Sequence, residues 1–297
     1  MKVYRIDDYL NINIDIKNLS LVLVYFDGVH VGHVQLISFA KYNAPGPLGV
    51  LTFDKPLKSI EGNLSMVEDR IDIFKRIGVD YVFIINCDDN FKELSYIDFC
   101  EKVLKRFNPI RLYCGPDFKF GYEAKGNVND LKARFNNVEV INFVNDYNHH
   151  KISSSDIKNL IKEGEVEEAS KLLGRPYSIT GTIFHGNSIG NTIGFPTANL
   201  KPFVGYVMPK IGVYITRSVI DGVRYTSITN VGNNPTIADK LPVTIETYVL
   251  DFNGDLYGKE MKLYFYKRLR DEIKFDSKDA LIEELNKNTL EAIEFFR

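Results

Sequence analysis

The 297-residue chain has little cysteine, almost no net charge and no long hydrophobic run. Its three cysteines, Cys87, Cys100 and Cys114, are odd in number and never spaced as Cys-x-x-Cys. That argues against a disulfide framework and against a zinc site. Buried or half-buried free thiols in a reducing cytosol are expected. Lys plus Arg number 37 against 39 for Asp plus Glu, a formal net charge of -2. A near-neutral chain lacks the electrostatic footprint of a nucleic-acid binder, although small anions can still be held locally. No segment approaches the ~18 consecutive apolar residues of a membrane span. The first residues, MKVYRIDDYLNINIDI, mix charge with apolar side chains. Neither a signal peptide nor a membrane span is expected, and the chain reads as cytoplasmic. Repeats and low-complexity segments are also missing.

What is present is the ordinary mix of a globular protein, 44% hydrophobic and 26% charged. The length suits two domains with a core each, and the two halves read differently. Residues 19–26 (LSLVLVYF), 47–53, 79–86 and 110–115 are short apolar runs that read as strands. Between them, residues 33–43, 65–78 and 95–107 have helical spacing, the second with Ile71, Phe74 and Ile77 on one face and Gly78 at its end. Such alternation predicts a parallel, doubly wound sheet. Residues 153–164 and 165–174 follow as two helices, the first opened by serines suited to capping. From residue 177 the segments YSITGTIF, GVYITRSVI, VRYTSITNV, VTIETYVLDF and KEMKLYFYKRL are β-branched and aromatic. Asp221-Gly222 and Asn253-Gly254 read as hairpin turns between them. An antiparallel barrel or sandwich is predicted, closed by an amphipathic terminal helix. The expected boundaries are residues 1–150, a helical linker at 151–176, and 177–297.

Two constellations carry chemistry. The first is Phe26-Asp27-Gly28-Val29-His30-Val31-Gly32-His33, between the first strand and the first helix. Ligands bind at that carboxyl edge of a parallel sheet. Gly32 lets a phosphate approach the backbone, and the helix start offers N–H groups to an anion. His30 and His33 would share a helical face and could donate to phosphoryl oxygens in a transition state. A bare HxGH can also be a structural turn, and as metal ligands the pair lacks a third partner. Ile152-Ser153-Ser154-Ser155-Asp156-Ile157-Lys158 adds hydroxyls at a helix start and a cation one turn on, which suits a polyphosphate. Simple N-capping is the plainer alternative.

The second constellation starts in HGNSIGNTIGFPTANL, where Gly186, Gly190 and Gly194 make a loop able to fold over phosphates. Thr197 and Asn199 follow, hard oxygen donors suited to Mg²⁺ and on one face if the segment is a strand. Glu246 stands inside the apolar run VTIETYVLDF, which is unexpected unless it is paired, functional or turned outward.

FDGVHVGH with ISSSDIK resembles the HxGH and ISSTxxR pair of the nucleotidyltransferase superfamily. With Cys114-Gly115-Pro116-Asp117-Phe118-Lys119-Phe120-Gly121 and Leu51-Thr52-Phe53-Asp54, the segment is similar to the FMN adenylyltransferase module of bacterial bifunctional FAD synthetases. GFPTANL resembles the signature of riboflavin kinases. The segments opening at LLGRPYSITGTIFHG, at Asn230-Val231-Gly232-Asn233-Asn234-Pro235-Thr236, at IETYVLDFNGDLYGKE and at RDEIKF are similar to that family in the same order. The resemblance covers about residues 15–297.

It implies a Rossmann-like nucleotidyltransferase domain followed by a β-barrel riboflavin kinase domain. The implied chemistry is phosphorylation of riboflavin by ATP to FMN, then adenylylation of FMN to FAD with release of pyrophosphate. Residue by residue, Thr197 and Asn199 are assigned to Mg-ATP and Glu246 is the base for the riboflavin hydroxyl. His30 and His33 serve adenylyl transfer. Asp27, Gly28, Gly32, Ser153, Ser154, Ser155, Lys158, Gly186 and Gly194 contact nucleotide, and Asp117, Phe118, Arg270 and Glu272 contact flavin. The partners expected are small molecules rather than nucleic acid or membrane, and a homo-oligomer is compatible with the sequence.

Departures are specific. Val24-Tyr25 stands where the family has Gly followed by Asn or another small residue. Lys55-Pro56-Leu57 replaces Pro-His-Pro, Ser155 replaces Thr, and Lys158 replaces Arg, which loses the bidentate fork. Tyr248 replaces a usual His and Asn191 a usual Arg. The missing histidine after Phe53-Asp54 and the Val24-Tyr25 pair motivate one alternative, a chain in which only the kinase works. Another is a flavin-sensing regulator without catalysis.

Overall fold

The computed structural model describes residues 1–55, 62–142, 152–184, 195–233 and 243–297. It divides into two units, Met1–Ser154 and Ser155–Arg297. The first contains β1 (Lys2–Ile6), β2 (Ser20–Leu23), α1 (Val31–Asn43), β3 (Leu48–Phe53), α2 (Val67–Ile77), β4 (Tyr81–Ile85), the one-turn helices α3 (Asp89–Lys92) and α4 (Tyr96–Asp98), β5 (Arg111–Cys114), α5 (Val128–Lys132) and β6 (Val138–Val140).

The six strands form one parallel sheet in the order β1-β4-β3-β2-β5-β6. The apolar runs are continuous because both faces are covered. Val22, Val50 and Val82 pack with Leu36, Ile37 and Phe74 of α1 and α2. Leu21, Leu23, Leu51 and Phe83 pack on the opposite side with Phe99, Val103 and Phe107. The chain steps from β2 out to β4 and returns across β2 to lay down β5. The order therefore reverses at β2, and the crevice beyond its carboxyl end is the expected ligand site.

Residues 95–107 correct the sequence reading. One amphipathic helix was predicted, whereas α4 passes into a π-type stretch at Phe99–Val103 and a 3-10 turn at Leu104–Phe107. The change of winding buries Phe99, Cys100, Val103, Leu104 and Phe107 together, more than the apolar stripe of one regular helix holds.

The unit boundary falls at the first residue of α6 (Ser154–Glu163); the second unit continues with α7 (Val166–Leu173) and ends with α8 (Lys278–Phe295). Between them lie β7 (Tyr177–Phe184), β8 (Thr197–Pro202), β9 (Gly212–Ile220), β10 (Val223–Asn233), β11 (Val243–Val249) and β12 (Glu260–Arg270). These strands close a barrel in the order β10-β11-β8-β7-β12-β9, antiparallel throughout. Asp221 and Gly222 both have left-handed φ, +51° and +80°, and join β9 to its neighbour β10, as a two-residue hairpin requires. Asn253-Gly254 is different: β11 pairs with β8 and β10, not with β12. That turn lies in a connection between non-adjacent strands.

The period of two along each strand separates the two barrel faces. Ile245, Thr247 and Val249 are buried toward the interior. The opposite face of β9, β10 and β11 carries Val213, Ile215, Ile228 and Tyr248, which pack with Ala292, Ile293 and Phe296 at the α8 end. Ser277 caps α8 by accepting from the Ala280 N–H at 3.2 Å.

Candidate active sites

In the first unit, β2 leads straight into the HxGH segment, and the backbone there is contorted. Phe26, Gly28 and Val29 have φ of +60°, +79° and +42°, a conformation that costs energy at the non-glycine positions. Its neighbours hold it. The Asp27 carboxylate accepts from Leu64 N at 2.8 Å, the Ser65 hydroxyl from Gly28 N at 3.0 Å, and the Asp27 carbonyl from the Ser154 hydroxyl at 2.9 Å. His30 is the residue before α1, and its carbonyl accepts from Val34 N at 3.0 Å. Gly32 and His33 lie in the first turn. The rings of His30 and His33 stack with centroids 3.7 Å apart, both almost fully buried.

The two imidazoles face a cavity of about 530 Å³ that is also lined by Ser153 and Ser154. Tyr25, Phe53, Phe91, Phe99, Phe118 and Phe120 give it an aromatic wall. Phe118 stacks on Phe120 at 5.5 Å, and Asp117 lies exposed at the rim. The structure thus joins His30, His33, Ser153, Ser154, Asp117 and Phe118 in one site. Asp27, Gly28 and Gly32 support it from the adjoining loop and helix start. Ser155 and Lys158 belong to α6 in the second unit, and the cavity lining ends at Ser154.

The second site is built by strand register. Asn199 pairs with Glu246, Glu246 with Asn230, Asn230 with Val213, and Val213 with Arg270. One row therefore crosses β8, β11, β10, β9 and β12. A parallel row sets Thr197 against Tyr248 and Tyr248 against Ile228. Thr197 and Asn199 share a face of β8, as the alternation predicted, and Glu246 shares it across the ladder. A cavity of about 660 Å³ opens on this face, lined by Thr197, Asn230, Glu246, Tyr248, Arg270 and Glu272. Leu281 and Leu285 of α8 close its apolar side.

Charge is arranged around that carboxylate. Burial raises the proton affinity of Glu246 above the ordinary carboxylate value, and the nearby Glu272 adds to the effect. Asn230 Nδ2 donates to Glu272 Oε1 at 2.9 Å. Gly232 allows this, since a Cβ there would stand 2.4 Å from the same oxygen. Arg270 reaches Glu284 of α8 at 3.0 Å. Gly186, Gly194 and the Asn234-Pro235-Thr236 end of the NxGxxPT segment lie outside the described residues.

The riboflavin kinase family model matches residues 173–296, within the second unit, and the FAD synthetase model matches residues 13–156. A bifunctional riboflavin kinase/FMN adenylyltransferase of Listeria monocytogenes is 35% identical over 94% of this chain and 93% of its own. One from Bacillus subtilis is 35% identical over 93% and 92%. The chain belongs to the bifunctional riboflavin kinase/FMN adenylyltransferase family. A solved Streptococcus pneumoniae structure described as a macrolide-efflux protein superposes with a TM-score of 0.87, at 33% identity over 96% of both chains. No helix among the described residues here is long and apolar enough to cross a membrane.

Within the adenylyltransferase unit, sequence reasoning missed Arg70, Leu64 and Ser65. Leu64 and Ser65 act through a backbone N–H and a lone hydroxyl, and no pattern marks them. Arg70 left a trace: it is a charged residue one turn before Phe74, on the buried face of α2. In the riboflavin kinase unit, Asn230 was noted only as part of a motif, and its place beside Glu246 comes from the ladder.

Proposed function

We propose that this chain makes FAD in two steps at two separate sites, and that the residues grouped above perform them. The observation that carries the reading is the row Asn199–Glu246–Asn230 beside Thr197, which sets a base next to hard oxygen donors on one barrel face. Riboflavin would lie in the cavity with its 5′-hydroxyl toward Glu246. A carboxylate whose proton affinity is raised is a better acceptor for that proton. The hydroxyl oxygen attacks the γ-phosphorus of ATP in line with the departing ADP oxygen. Thr197 and Asn199 fit Mg²⁺ by donor chemistry, and the ion there would neutralise charge on the nucleotide phosphates. Arg270, held by Glu284, and Glu272, held by Asn230, shape the flavin end of the cavity.

In the adenylyltransferase site no protein nucleophile is required. The FMN phosphate attacks the α-phosphorus of a second ATP, and pyrophosphate leaves. His30 and His33, fixed by burial and by the α1 start, donate to the phosphoryl oxygens as charge develops. The backbone N–H groups at that helix start and the Ser153 and Ser154 hydroxyls hold the phosphates.

The test is a product assay with riboflavin, ATP and Mg²⁺, with the flavins separated. FMN and then FAD are expected. Glu246→Gln should lower FMN formation by about 10²–10⁴-fold, as for loss of a general base, while FAD formation from added FMN persists. His30→Ala should do the reverse. FMN accumulating without FAD in the unaltered chain would show that only the kinase works.

A further inference from the structure

The hydrogen-bond ladder between β2 and β3 ends at Leu23 and Leu51. Beyond it, the two strands are joined through a side chain. Arg70 Nη1 donates to the Thr52 hydroxyl at 2.9 Å and, more weakly, to the Tyr25 carbonyl at 3.5 Å, and Nη2 donates to the Phe53 carbonyl at 2.8 Å. The Arg70 side chain comes from α2 and is only 4% exposed. Burial works against its charge, with Asp27, Asp54 and Asp69 near enough to offset part of that cost. An apolar residue at this position would pack against the sheet at no such cost, so packing alone does not account for an arginine. Its planar fork serves acceptors on two strands at fixed angles, which an ammonium does not.

The two residues whose carbonyls it holds both present rings to the adenylyltransferase cavity. Those rings are nearly parallel, 21° apart with centroids at 6.3 Å. Tyr25 is also where this chain departs from the small residues usual in its family.

We propose that Arg70 is a positioning residue for adenylyl transfer, tying the ends of β2 and β3 so that Tyr25 and Phe53 form a preformed wall for the planar ring system of a nucleotide substrate. The inference rests on the reading of this cavity as the adenylyltransferase site. Either FMN or ATP carries a suitable ring.

Steady-state FAD formation by the full chain tests it, with FMN and ATP varied in turn. Arg70→Met and Tyr25→Leu should each raise KM for the same substrate about tenfold, the scale of losing an aromatic stacking partner. Their kcat should change less than about threefold, because the wall binds ground state and transition state alike. Which KM moves identifies the ring. The double variant should be no worse than the worse single one, since both remove one wall. Arg70→Lys should fail to rescue, and riboflavin phosphorylation by the same proteins should be unchanged. A fall in kcat at constant KM, or rescue by lysine, would overturn the proposal. Should Arg70→Met unfold the first unit, seen as a lost thermal transition, Tyr25→Leu decides, and two unchanged KM values with that variant sink the idea. If His30→Ala leaves FAD formation intact, the site assignment itself fails. If His30→Ala is inactive while Arg70→Met and Tyr25→Leu keep both KM values, only the role of the wall fails.

Discussion

The shared face of Thr197 and Asn199 was legible because a strand exposes every second residue, whereas Glu246 was singled out by its family resemblance. The placements of Arg70 and Asn230 were not legible, because they depend on which segments become neighbours. The hydroxyls inside the barrel belong to the same class. Thr216 bonds Ser227 at 2.8 Å and Thr229 at 2.9 Å, Ser218 bonds Ser227 at 2.9 Å, and Thr229 bonds Thr247 at 3.0 Å. Each is fully buried. In sequence they are ordinary β-strand threonines and serines. Thr229→Val keeps the shape but removes the hydroxyl shared by Thr216 and Thr247. It should destabilise the kinase unit by about 1–3 kcal/mol, the cost of a buried polar group without its partner, measurable by urea unfolding. A cost near zero would mean the remaining hydroxyls re-pair. The cysteines behave as expected of buried thiols. Burial pushes Cys87 and Cys114 up to about 12 and Cys100 up to about 11. A thiolate is the reactive form, so none should react with an aromatic disulfide reagent at pH 8 until the chain is unfolded, when all three should. Rapid labelling of the native protein would contradict the burial.

Elements were legible where their apolar period was strong, and hidden where tertiary pairing made the structure. β1 buries only Ile6 and exposes Lys2, Val3 and Arg5, so its sequence lacks the signal of a strand. It exists because β4 offers a free edge. The Asn253-Gly254 turn was misread because a turn dipeptide specifies a local bend, not which strands pair afterwards. The amino edge of the sheet is fastened by Asp80, whose carboxylate accepts from Leu48 N at 2.9 Å and from Lys41 Nζ at 2.7 Å. Partial burial pushes that carboxyl up, but the Leu48 N–H and the Lys41 ammonium outweigh it and hold it below the usual range. A depressed folded-state value means that the stabilisation is present above the unfolded-state value and disappears as pH falls through the folded-state one. Asp80→Asn should therefore be less stable than the parent at neutral pH. The gap should hold above about pH 5 and close as the pH drops below about 4. Urea unfolding across that range measures it, and a gap that widens in acid would reverse the sign of the argument. Both activities should survive, because Asp80 sits at the opposite edge from the HxGH loop.

At the scale of the molecule, the two candidate cavities fall in different units. The row through Glu246 is built from β8 to β12, and among the described residues the HxGH cavity is lined by residues up to Ser154. FMN, the product of the first reaction, is the substrate of the second, and it is a small, soluble, diffusible molecule. Two proteins, each defective in one step, should therefore complement each other. Glu246→Gln alone should leave riboflavin unconverted, and His30→Ala alone should stop at FMN. Mixed in equal amounts with riboflavin, ATP and Mg²⁺, they should produce FAD after a lag while free FMN accumulates. Dilution of both proteins should lengthen that lag, because the intermediate must then build up in bulk solution. Complementation without a lag would indicate transfer between associated chains. Failure to form FAD, with FMN present at concentrations that Glu246→Gln converts when FMN is supplied alone, would mean that the adenylyltransferase unit depends on an intact kinase site in its own chain.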